Sequence, residues 1–173
     1  MDTTGSPSPT TTTPRLGRYV IDPARSSITF TTRHVFQLLP VRGTFTIRDG
    51  TVDVAEPLAA SRLRVEIDAA SFSTGNDRRD REVRSAKFLD TDRHPLITFA
   101  AERVDATQVS GTLTACGISR PASLSVVRSE VRAGSFTVRA TTRVDRTEFG
   151  VTASPGMAGR RLDLTLEVTC VHT

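Results

Sequence analysis

From Arg18 onward, apolar residues recur at every second position, the period of a strand with one dry face and one wet face. Ile28 and Phe30 alternate with Thr29 and Thr31, and Phe45 and Ile47 alternate with Thr44, Thr46 and Arg48. Leu63, Val65 and Ile67 are separated by Arg62, Arg64, Glu66 and Asp68, which predicts a third strand with a charged outer face. Ile97, Phe99 and Ala101 predict a fourth strand, and Val109, Gly111, Leu113 and Ala115 a fifth. Ala122, Leu124 and Val126 predict a sixth, Phe136, Val138, Ala140 and Val144 a seventh, and Leu162, Leu164, Leu166 and Val168 an eighth. The period breaks over residues 77–86, a charge-dense stretch whose only β-branched residue is Val83. This break predicts one short helix, with Thr74 as its N-cap and Asp77 and Asp80 at its positive end.

Strands buried on both faces of a parallel sheet read as continuous apolar runs, so eight two-faced strands point instead to an antiparallel barrel or sandwich. The expected fold class is therefore all-β, with the short helix inside a long loop between the third and fourth strands. With simple up-and-down connections, one mouth of a barrel would receive the 35–40 connection, the helix-bearing 69–95 connection, the Gly117 turn and the 147–159 stretch. The opposite mouth would have shorter joints near Asp105 and Gly134, with residues 50–58 as its longest. Binding usually resides on long loops held by a rigid scaffold, so the first mouth is the expected entrance.

Composition agrees with this pattern and narrows it. Val, Ile and Thr supply 49 of the 173 residues against 12 Leu, and β-branched side chains suit a pleated sheet better than a helix. That length fits one domain. The Thr-, Ser- and Pro-containing start reads as a disordered leader over residues 1–15, ahead of a barrel domain spanning 16–173. It has no apolar core of a secretory signal, so a cytoplasmic location is expected. No apolar run approaches the ~20 residues of a membrane-spanning helix. The net charge is +4, but both signs are mixed along the chain, unlike the clustered basic stripe that tracks a phosphate backbone. Nucleic acid is not an expected partner.

Signatures of catalysis are sparse. His34, His94 and His172 lie far apart with no partner at metal-ligand spacing, and Cys116 and Cys170 have neither metal nor redox spacing. These cysteines read as small buried or half-buried residues. There is no glycine-rich phosphate loop and no Gly-x-Ser-x-Gly elbow. No cofactor, metal or catalytic residue is expected, and the chain is read as a non-enzyme.

The inward face remains. Its positions are Ile28, Phe30, Phe45, Ile47, Leu63, Val65, Ile67, Ile97, Phe99, Leu113, Leu124, Val126, Phe136, Val138, Leu164 and Leu166. A barrel of eight strands is wide enough either to be filled by such side chains or to hold one small ligand, and the pattern alone leaves both open. Strand parity also brings cations inward at strand ends: His34 and Arg146 at the long-loop mouth, Arg103 and Arg128 at the other. Such a cation could meet an anionic head group, or the side chain could turn out to solvent.

Ordered motifs carry a family resemblance. Tyr19-Val20-Ile21-Asp22-Pro23 is followed by Ser26, Arg33-His34-Val35 and Val41-Arg42-Gly43-Thr44-Phe45. Next come Phe72-Ser73-Thr74-Gly75-Asn76-Asp77 with Arg79-Asp80, then Phe88-Leu89-Asp90 and His94-Pro95-Leu96-Ile97-Thr98-Phe99. Val109 to Thr114, Gly117-Ile118-Ser119-Arg120-Pro121 and Asp145-Arg146-Thr147-Glu148-Phe149-Gly150-Val151 complete the set. Together they resemble the YceI-like family, although Tyr19, Arg25 and Asp145 stand where that family often has Trp, His and Asn. The resemblance implies an eight-stranded antiparallel lipocalin-like barrel with an apolar channel. It also implies binding, storage or transport of a polyisoprenoid, an isoprenoid quinone or another lipophilic amphiphile, and a homodimer. Two rival readings are a filled structural barrel acting as a protein-interaction module and a lipid-modifying enzyme using His34.

Overall fold

The computed structural model describes residues 14–34 and 38–173, apart from the side chain of His34. Most of the expected leader, and residues 35–37 of the first long-loop connection, lie outside the described residues. The chain forms β1 (Gly17–Ile21), β2 (Ser27–His34), β3 (Leu39–Val54), β4 (Arg62–Ser73), α1 (Asp77–Arg84), β5 (Leu96–Val104), β6 (Gln108–Ala115), β7 (Ile118–Arg132), β8 (Ser135–Asp145) and β9 (Arg161–His172). Every strand pairing is antiparallel. From β2 onward, neighbours in sequence are neighbours in the sheet, and β9 returns to β2 to close an eight-position barrel.

The expected first strand is split in two. β1 and β2 occupy a single position between β3 and β9: β1 pairs with Thr51–Val54 and Cys170–His172, and β2 pairs with Leu39–Phe45 and Asp163–Glu167. A short 3-10 turn at Pro23–Arg25 separates them, capped by the Asp22 side chain accepting from the Ala24 N–H at 3.0 Å. Tyr19 and Ile21 are as buried as Ile28 and Phe30.

Three one-residue irregularities change which residues face inward, because an extra residue in one strand flips the parity beyond it. In β3 the register shifts between Ile47 and Asp49. Alternation then resumes with Gly50, Val52 and Val54, so the expected long joint over 50–58 is largely strand. Shifts between Ala101 and Arg103 and between Val126 and Arg128 have the same effect in β5 and β7. They overturn the inward placement of Arg103 and Arg128: both side chains are exposed, and Val104 and Ser129 take the inward positions.

The predicted helix is present but begins differently. Asn76, not Thr74, is the N-cap, accepting from the Arg79 N–H at 3.0 Å, and the helix ends at Arg84. Thr74 binds the helix from outside: its N–H and hydroxyl both donate to Asp80, at 3.0 and 2.7 Å. Asp80 is buried, and these donors offset its loss of water.

The larger cluster of buried apolar side chains lies where β1 and β2 meet β3, β4, β8 and β9, around Tyr19, Ile21, Ile28, Ile47 and Cys170. A smaller cluster of Phe99, Ala101 and Val109 covers the β5–β6 wall. Up-and-down order places the end of β2 and the 74–95, 116–117 and 146–160 connections at one end, as the alternation predicts.

Candidate functional site

A cavity of about 660 Å³ runs inside the barrel. Of the sixteen expected inward positions, fifteen line it; the exception is Phe30. Its walls are almost entirely aliphatic and aromatic carbon, with Ser61, Asp105, Ser129, Thr142 and Arg146 as the polar exceptions. Cys170 belongs to the wall, and burial pushes its thiol up to about 12, so it behaves there as a small neutral apolar group. Cys116 is half-buried, outside the cavity, with its Sγ 3.5 Å from the Leu89 carbonyl.

Phe30 faces a second, smaller cavity of about 350 Å³ at the long-loop end. There Phe30 stacks on Phe72 with ring centroids 5.2 Å apart, and Phe45 packs against both at 5.6 and 5.5 Å. Gly43 makes this possible, because a Cβ at that position would collide with the Phe30 ring and the Ser73 carbonyl. Helix α1 contributes Arg78, Arg79, Glu82 and Val83 to the outer side of this space, and the 154–159 segment contributes Met157. Phe45, Leu89, Arg146, Val151 and Leu162 line both cavities, so they form a shared partition.

Arg146 organises that partition. Its Nε donates to the Gly159 carbonyl at 2.8 Å and its Nη1 to Val151 at 2.8 Å. Its Nη2 donates to Ala153 at 2.8 Å and to Ala158 at 3.2 Å. The guanidinium also lies 5.6 Å from the centre of the Phe88 ring, a cation–π distance. Burial pulls its pKa below the usual arginine value while Asp145 acts in the opposite sense. Four of five N–H donors therefore hold the 147–159 connection, and one N–H of Nη1 remains. Phe149 and Val151, both buried, are drawn down over the main cavity by this arrangement.

The second expected head-group residue, His34, ends β2 opposite Leu39, and its side chain lies outside the described residues. His94 sits in the long-loop connection, whereas the His172 ring packs against Tyr19 with centroids 4.9 Å apart. Among the described residues no group of three or more His, Cys, Asp or Glu gathers as a metal site. Sequence reasoning missed the roof residues Leu89, Phe149 and Val151, which sit in connections without periodicity. It also missed Val52 and Val54, whose own alternation with Thr51 and Asp53 was the available signal.

Among the described residues no helix is long and apolar enough to cross a membrane. Residues 19–170 match the YceI-like domain. Protein YceI of Escherichia coli O6:H1 is 31% identical over 144 residues, covering 75% of this chain and 73% of that protein. A UPF0312 protein of Pseudomonas putida (strain GB-1) is 32% identical over 143 residues, covering 74% and 72%. Among solved structures, Burkholderia cenocepacia BcnA superposes with a TM-score of 0.69 at 20% identity, over 86% of this chain and 98% of that one. A polyisoprenoid binding domain from Saccharophagus degradans, implicated in plant cell wall breakdown, superposes with a TM-score of 0.71 at 16% identity, over 92% and 100%. At these identities the structural likeness speaks for the fold. The family match over almost the whole ordered barrel establishes the relationship: the chain belongs to the YceI-like domain family.

Proposed function

We propose that the barrel binds a lipophilic molecule with a polyisoprenoid-type tail, as a non-enzymatic carrier or store. The tail lies in the main cavity and its polar head points to the long-loop end, near His34 and the remaining N–H of Arg146. The observation that carries this reading is the cavity of about 660 Å³ with apolar walls. Native interiors leave few voids larger than a water molecule, so a space of this size is not a packing defect. Apolar walls hold water poorly, which favours an apolar occupant. The volume also falls within the ~300–1,000 Å³ typical of small-molecule sites. This weighs against the filled structural barrel.

Lipid mass spectrometry of protein purified from its native host tests the proposal, together with uptake of geranylgeraniol by lipid-stripped protein. Bound isoprenoid lipid and saturable uptake are expected. Ala140→Phe, which projects a ring from a cavity-lining position, should weaken uptake by roughly tenfold or more, a factor worth about 1.4 kcal/mol, with the fold retained. No bound lipid and no uptake would overturn the reading. His34→Ala separates the roles of that residue: unchanged affinity and no altered lipid product remove both its head-group and its catalytic assignment. Light scattering tests the homodimeric assembly.

A further inference from the structure

We propose that the long-loop end of the barrel docks on an anionic lipid bilayer. This gives the carrier reading a place to load and unload, but its own evidence is the distribution of charge, together with aliphatic side chains exposed at the same rim. The segments forming that end, residues 30–34, 38–44, 73–97, 114–121 and 142–163, carry thirteen basic residues against eight acidic ones. The rest of the described chain carries ten of each. The chain's net positive charge is thus concentrated around one mouth.

Side-chain pairing sharpens the asymmetry. At this end Asp145, Asp163, Glu82 and Asp90 are engaged by Arg160, Arg143, Lys87 and Arg93, and Asp80 is consumed by Thr74. Asp77, Asp92 and Glu148 are the remaining carboxylates. Among the described residues Arg33, Arg42, Arg78, Arg79 and Arg161 have no carboxylate within ion-pair distance, and all but Arg79 are exposed. Register places Arg33 beside Pro40, and Arg42 beside Thr31.

The same rim exposes carbon. Leu38, Leu39 and Met157 are 74%, 51% and 50% exposed, and Met157 also lines the outer cavity. Basic side chains around exposed aliphatic tips match an anionic membrane surface, where cations meet head-group phosphates and aliphatic groups enter the acyl boundary. Docked in this way, the outer cavity faces the phase in which an isoprenoid lipid dissolves.

Flotation of the lipid-stripped full chain with phosphatidylcholine vesicles, with and without phosphatidylglycerol, tests this. Binding only to the phosphatidylglycerol-containing vesicles is expected, and it should fall steeply at high salt. Reversing Arg33, Arg42 and Arg161 to Glu should weaken it by about tenfold or more, whereas R48E/R103E/R132E, reversing exposed arginines elsewhere, should have little effect. Leu38→Asp should weaken binding at either salt concentration. Circular dichroism and geranylgeraniol uptake report whether each variant is folded. A barrel that takes up geranylgeraniol but ignores anionic vesicles, or loses vesicle binding equally in both triple reversals, overturns the docking proposal and leaves the carrier reading intact. Vesicle binding without uptake does the reverse.

Discussion

At one end of the barrel the chain turns back through residues 55–61, 105–107 and 133–134; at the other it runs through 74–95 and 146–160 before the next strand begins. The short joints need little beyond local chemistry. Asp105 accepts from the N–H groups of Thr107 and Gln108 at 2.8 and 2.7 Å, and Gly134 supplies a φ of 75° that an L side chain rarely adopts. Long connections have more conformational entropy to lose, so side chains must hold them. Arg146 and Asp80 do so through four and three hydrogen bonds respectively. The difference shows how one fold separates duties. The short end joins the strands of the scaffold, and the long end forms the roof, the partition and the outer cavity.

Breaking the roof at its centre should have the largest effect. Arg146→Ala removes four charge-assisted bonds to carbonyls, of which some will be rehydrated. A loss of about 2–4 kcal/mol is expected in urea unfolding. Proteolysis should concentrate between residues 147 and 159, with the short end still protected. Arg146→Lys should recover little, because one ammonium cannot reach carbonyls of Val151, Ala153, Ala158 and Gly159 with a planar fork. Full stability in the alanine variant would mean that the connection holds itself.

Asp80→Ala tests the helix side of the same end. It strands the N–H and hydroxyl of Thr74 next to a buried site, for an expected cost of about 1–3 kcal/mol. Asp80→Asn keeps one acceptor oxygen and should cost less. Equal losses in the two variants would mean that charge, not acceptance from Thr74, is what matters there.

Alternation along the chain made the scaffold legible because each strand has one wet face, so eight positions, the long and short ends, and most of the cavity wall could be read directly. The three bulges were not legible. A single extra residue at Arg48, Glu102 or Val127 leaves no mark in composition, yet it decides that Val104 and Ser129, not Arg103 and Arg128, turn inward. The partition was also hidden, because Leu89, Phe149 and Val151 obey no period and are placed by tertiary bonds. Parity brought Arg146 to the correct mouth, but its attachment to four carbonyls depends on how a distant loop folds over it.

The smallest expected effect distinguishes the two ends through pH. Burial alone would raise the carboxyl of Asp145, but Thr147 donates its N–H and hydroxyl at 2.9 and 2.6 Å and Arg160 lies 2.7 Å away, so its pKa is held below the usual value. With the folded pKa below the unfolded one, the unfolded chain binds more protons in acid. The stabilisation is therefore present above about pH 4 and is lost as pH falls through the folded value. Asp145→Asn should be less stable than the parent at neutral pH and should lose less on acidification, so the two urea midpoints converge. Asp105 at the short end is also held below its usual value, by the N–H groups of Thr107 and Gln108 and the Thr107 hydroxyl, but it is exposed to water. Asp105→Asn should flatten the acid limb less than Asp145→Asn does. An equal or greater flattening would place the acid-sensitive contact at the short turns and not beneath the roof.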